Sequence, residues 1–149
     1  MKVRILAAIG LAMIVSGCSD GAAGSSGSTS PVVGTWGRVK SETRVGTDAW
    51  ADDKNSACLA DEMEVYHADG TFESHSGTIR CSAGTTVDTG ILRGTWRLTA
   101  NDTKIVYTYV GFKGEYDATI ERLEGTQMTR NWSTLDTKNT QMRVTFAKQ

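Results

Sequence analysis

Apolar positions in this chain repeat with a period of two, in short runs spread along most of its length. Leu92, Gly94, Trp96 and Leu98 alternate with Arg93, Thr95 and Arg97, and Met142, Val144 and Phe146 alternate with Gln141, Arg143 and Thr145. A β-strand sends successive side chains to opposite faces, so each run has one face for a core and one for water. Tyr116, Ala118 and Ile120 continue the pattern, as do Met128, Arg130 and Trp132, which put one charge on an inward face. Eight segments rich in Val, Thr, Tyr, Trp and Ile are predicted as strands: 33–41, 62–68, 71–76, 91–99, 104–110, 116–123, 126–133 and 140–147. Clusters of Gly, Asp and Asn separate them. The stretch 47–61 has room for a short helical turn, and the chain has no helix-length periodic run.

Eight consecutive strands with short connections leave no space for crossover helices, which favours antiparallel pairing of sequence neighbours. Closing such a meander removes its edges. The expected fold is therefore all-β, an eight-stranded antiparallel up-and-down barrel, whose interior is either filled by side chains or holds one small ligand.

Asp69-Gly70 between Ala68 and Thr71 is a two-residue hairpin signal. In that register paired residue numbers sum to 139, as do those of Cys58 and Cys81, so the two cysteines stand level on opposite arms. A disulfide is expected there. In an oxidising compartment, closing a loop of this size contributes about 3 kcal/mol.

Composition narrows the function classes. The 149 residues carry a formal charge of -1 with 39% hydrophobic and 22% charged residues, which suits one globular domain. No basic run is present to neutralise phosphates, so a nucleic-acid partner is not expected. The chain lacks Gly-x-Ser-x-Gly, His-Glu-x-x-His, phosphate-loop and dinucleotide signatures. No enzyme activity, cofactor or metal is expected. In the 139 register His67 pairs with Phe72 and His75 with Glu64, which separates the imidazoles. Asp52-Asp53 and Asp61-Glu62 lack calcium-loop spacing and read as solvated loop charge.

The amino terminus has a different character. Lys2 and Arg4 precede an uncharged apolar run from Ile5 to Val15, too short for a permanent span. It ends in Val15-Ser16-Gly17-Cys18, which resembles the lipobox of bacterial lipoproteins. The resemblance implies cleavage before Cys18, thioether attachment of diacylglycerol to Cys18, and acylation of the new amino terminus with a chain such as palmitate. The expected organisation is a signal peptide over 1–17, the lipidated cysteine and a Gly/Ser tether over 18–30, and a barrel domain over 31–149. A flexible tether of that length lets the barrel stand about 20 Å from the bilayer. Among such lipoproteins an aspartate after the cysteine signals inner-membrane retention; Ser19 in that place implies the outer membrane. Loss of Lys2 and Arg4 takes 16 basic residues to 14 against 17 acidic ones, a mature charge of -3.

Gly34-Thr35-Trp36 opens the first strand, and Gly94-Thr95-Trp96 recurs later. Together with Val65-Tyr66-His67-Ala68-Asp69-Gly70-Thr71-Phe72, the flanking Cys58 and Cys81, the segment 92–98 and Ile120-Glu121-Arg122-Leu123 before Met128, the pattern resembles bacterial lipocalin-like domains over most of 32–146. The resemblance implies that Gly34 and Trp36 form the barrel floor and that an arginine of a late strand, Arg143 or Arg130, packs on Trp36. It also implies a small apolar or amphipathic ligand, bound without catalysis. Candidate pocket residues are Trp96, Tyr107, Tyr109, Ile120, Met128, Trp132, Met142 and Phe146. The alternative is a solid barrel whose loops, 42–61 and 80–90, bind a protein partner such as a periplasmic hydrolase. An open cavity faced by Tyr107 and Trp132 favours the first; a packed interior with an exposed apolar loop around Trp50 favours the second.

Overall fold

The computed structural model describes residues 30–54, 56–79, 90–134 and 137–149. The signal peptide, Cys18 and most of the tether lie outside these residues, as do Cys81 and the side chain of Cys58, and with them the acylation site and the disulfide.

Among the described residues nine strands form one antiparallel sheet: β1 (Gly34–Val45), β2 (Ala51–Asp52), β3 (Met63–Tyr66), β4 (Thr71–His75), β5 (Ile91–Thr99), β6 (Lys104–Tyr109), β7 (Tyr116–Glu124), β8 (Gln127–Ser133) and β9 (Thr140–Lys148). From β3 to β9 each strand pairs with the next, and β1 pairs with both β3 and β9, closing an eight-stranded up-and-down barrel. The two-residue β2 lies outside the ring, on the far half of β1 at Glu42 and Thr43. Within 47–61 the expected short helical turn is a 3-10 turn over Ser56–Leu59. The first strand runs four residues past its expected end at Ser41, because Glu42–Val45 find partners along β9 down to Thr140.

The β3–β4 hairpin corrects the expected register. Tyr66 pairs with Phe72 and Met63 with His75, one residue off the 139 register. His67 N–H donates to the Thr71 carbonyl at 3.0 Å, which leaves a three-residue loop. Gly70 takes the left-handed conformation, φ 83°, that such a loop requires at its last position. The Asp69 carboxylate accepts hydrogen bonds from Thr71 N at 2.9 Å and Thr71 Oγ1 at 2.7 Å, fixing the longer turn. His75 therefore stands opposite Met63 and His67 opposite Thr71, and the level placement of Cys58 and Cys81 loses its register argument.

The two ends of the barrel differ. Residues 67–70, 100–103 and 125–126 make tight turns at one end, where β1 begins and β9 finishes. Val45, Met63, His75, Ile91, Tyr109, Tyr116, Ser133 and Thr140 mark the other, open end. Val32 and Trp36, both fully buried, plug the first end, and Trp36 Nε1 donates to the Val32 carbonyl at 2.7 Å. That end is closed.

Candidate functional site

Side chains pack the barrel interior through its middle. Tyr66, Phe72 and Phe146 are 1% exposed, Tyr107 4%, and Met128 and Ile105 0%, so neighbouring side chains cover them almost completely. Strand alternation places them there. Tyr66 faces Phe72 across the hairpin and Met128 faces Phe146 across β8–β9, each pair pointing inward. A bulge at Val39 keeps this parity along β1, so that Trp36 and Arg38 before it and Ser41 after it all point inside.

An ionic layer crosses the core. Arg130 donates from Nη2 to Glu64 Oε1 and from Nη1 to Tyr66 OH at 2.6 Å, and Tyr66 OH donates to Glu64 Oε2 at 2.7 Å. Because Tyr66 spends its single proton on Glu64, Tyr107 OH, 2.9 Å away, is the donor in their contact. Burial favours neutral arginine, but the Glu64 carboxylate outweighs it and holds the Arg130 pKa above its ordinary value. Burial pushes the Tyr66 phenol well up, so it stays protonated. Nearby, Arg38 pairs with Glu62 at 2.6 Å, and burial lowers the one pKa and raises the other. Two arginines thus face two glutamates. Such a layer fixes which strand lies opposite which, since any slip strands a charge in the dry interior.

The expected arginine on Trp36 is corrected. Arg130 sits at mid-barrel, its guanidinium 4.8 Å from the centre of the Phe146 ring, 5.2 Å from Tyr107 and 5.6 Å from Trp132. Arg143 points outward, as it must between inward Met142 and Val144, and lies 4.5 Å over Trp50 while bonding Glu42. The cation over Trp36 is Lys148, 5.2 Å from its ring. Trp50 is half-buried between Arg143 and Arg44, so its loop is clasped to the outer wall rather than offered to solvent.

The eight candidate pocket residues fall into three places. Tyr107, Met128 and Phe146 belong to the filled middle. Trp96 and Ile120 flank it towards the closed end, Trp96 Nε1 donating to the His67 carbonyl of the turn at 3.0 Å. Tyr109, Trp132 and Met142 lie on the open side, the last two paired across β8–β9.

The pocket residues chosen from the sequence omit the rim. Phe112 is 57% exposed and Tyr116 41%, both against Tyr109, with ring centres 6.2 and 5.5 Å from it and edge-to-face geometry. Tyr109 in turn stacks on Tyr107 at 6.3 Å and meets Phe72 at 5.8 Å. An aromatic column runs out of the core into solvent at the open end. Exposed Leu92 and Val110 flank it, because β5 and β6 stay paired through Gly94 and Tyr109, with Val110 N–H donating to the Arg93 carbonyl at 2.8 Å. Gly94 is needed for this approach: a β-carbon there would meet the Thr108 carbonyl oxygen at 1.8 Å. Burial, with the Glu64 carboxylate adding to it, pushes the Tyr109 pKa up to about 12. Phe112 lies in a loop with no alternation to announce it; the only sequence signal is an aromatic between two glycines.

The outer wall carries an open groove of about 460 Å³ lined by Arg97, Thr99, Lys104, Val106, Glu115 and Asp117. Cross-strand ion pairs, Arg97–Glu115 and Lys104–Asp117, each at 2.9 Å, span it. Of the histidines, His67 sits in a closed-end turn and His75 bonds Glu73 at 3.0 Å on the outer wall.

No protein-family model matches the chain, and no curated protein does. A solved structure of a DUF4847 family protein from Bacteroides vulgatus ATCC 8482 is similar to it at 14% identity and TM-score 0.45, covering 78% of this chain and 94% of that one.

Proposed function

We propose that this chain is a non-catalytic, lipid-anchored envelope lipoprotein whose lipocalin-like barrel holds a small apolar or amphipathic molecule at its open end. One observation carries the reading. Among the described residues, eight of the nine exposed large hydrophobics (Val45, Met63, Ile79, Ile91, Leu92, Val110, Phe112 and Tyr116, all but Val39) lie at the open end, and such clustering on a folded surface marks a binding site. The anchor is compatible with this placement. The described chain reaches β1 through Val32 at the closed end, opposite the mouth, which supports an anchor attached on that side.

Native mass spectrometry of the periplasmic domain from Ser30 onward tests the reading. The expected result is a discrete small adduct lost on denaturation; a clean apo mass that persists after incubation with lipids and small apolar molecules overturns it. Cys18→Ala is expected to release the protein from the membrane fraction, and continued sedimentation with membranes overturns the anchor.

The filled middle favours a second reading, in which the same rim engages a protein partner such as a periplasmic hydrolase. A stable complex with such an enzyme, dissolved by charge or size changes at Phe112 and Val110, would select it.

A further inference from the structure

We infer that the recognised part of the ligand is a flat ring rather than a long acyl chain. This rests on the ligand-binding reading above and names its ligand class. Two observations carry it. A long chain needs a tunnel along the barrel axis, and that axis is blocked: Tyr66, Phe72, Phe146 and Met128 are at most 1% exposed, and the Glu64–Arg130 pair crosses among them. An apolar tail threaded there would break a buried ion pair, which is a severe penalty. What the open end offers is the free end of an aromatic column, in which Phe72, Tyr107 and Tyr109 lead out to Phe112 and Tyr116. From Tyr109 outward each ring meets its neighbour edge-on, and the outermost two are exposed. Another ring extends that series with the same geometry, whereas a flexible chain gains area there but no quadrupole match and loses rotamer freedom. The column's site is shallow, and its occupant is short and planar.

The test uses the full chain carrying Cys18→Ala, titrated calorimetrically with 2-naphthoate and with octanoate, laurate and palmitate below their micelle concentrations. The expected result is saturable one-to-one binding of 2-naphthoate, with the fatty acids weaker and no tighter at palmitate than at octanoate. Phe112→Ala and Tyr116→Ala are each expected to weaken 2-naphthoate about tenfold without shifting the melting temperature, since loss of an aromatic pair has that order of effect. Val39→Ser, an exposed change on β1, serves as the unaffected control. Affinity that climbs with acyl length through palmitate overturns the flat-ring inference and leaves a ligand-holding barrel. Absence of saturable binding by either class overturns it as well, and a clean apo native mass in addition removes the ligand-binding reading.

Discussion

The closed and open ends of this barrel are built from the same strands, yet they spend their apolar residues in opposite ways. At the closed end tight turns bring strands together over Trp36 and Val32, and both indoles there have a partner in the chain itself: Trp36 on the Val32 carbonyl, Trp96 on the His67 carbonyl. At the open end Tyr109 is covered by rings that are themselves exposed, Phe112 and Tyr116, and Val110 stands 76% in solvent. Burial is deep at one end; at the other large apolar side chains stay exposed. Between them lies the Arg130–Glu64 layer, which separates the closed-end core from the exposed apolar rim.

If that layer is the divide, removing half of it should cause the largest loss. Arg130→Met is expected to destabilise the protein by about 3–5 kcal/mol in urea unfolding, because Glu64 is left buried without its cation. The double change Arg130→Met with Glu64→Gln should recover part of this; no recovery would mean that the pair does not act as a unit. The next effect is alkaline. Tyr66 and Tyr109 have phenols raised in the folded protein, so their stabilising contribution is present below pH 10 and is lost as pH rises from there towards 12. Melting temperatures should hold to about pH 10 and then fall; with the exposed phenol removed by Tyr116→Phe, tyrosinate absorbance should appear together with unfolding, and tyrosinate formed in that still-folded variant at pH 10 would contradict it. At the closed end, Trp36→Phe keeps a ring but abandons the Val32 carbonyl, and about 1–3 kcal/mol of loss is expected. Smallest of all, Phe112→Ser at the open rim should change stability by about 0.5 kcal/mol or less. A large loss there would erase the contrast between the ends.

Strand positions were legible in the residues because a half-buried strand must alternate, and β5 through β9 do so almost without interruption. The inward set was legible for the same reason, including Arg130 between Met128 and Trp132. Register was less so. One extra residue in the Asp69-Gly70 loop moved His75 from Glu64 to Met63, and nothing local distinguishes a two-residue from a three-residue loop around Asp-Gly. The partner of Trp36 was not legible either, since Arg130, Arg143 and Lys148 lie close together in two strands and only the cross-barrel position of Glu64 claims the first. The rim was missed because Phe112 sits in a loop, where side-chain direction follows no period.

What the sequence determined by itself was the class of element and its inner face: local periodicity, turn residues and the lack of helix-length runs are short-range properties, and they specified eight antiparallel strands with one dry side each. Only the tertiary structure decided which charges meet, how full the barrel is and which end stays open. Those depend on contacts between residues far apart in the chain, such as Glu64 with Arg130 and Trp36 with Lys148, whose free energy exists only once closure has brought the strands around a common axis.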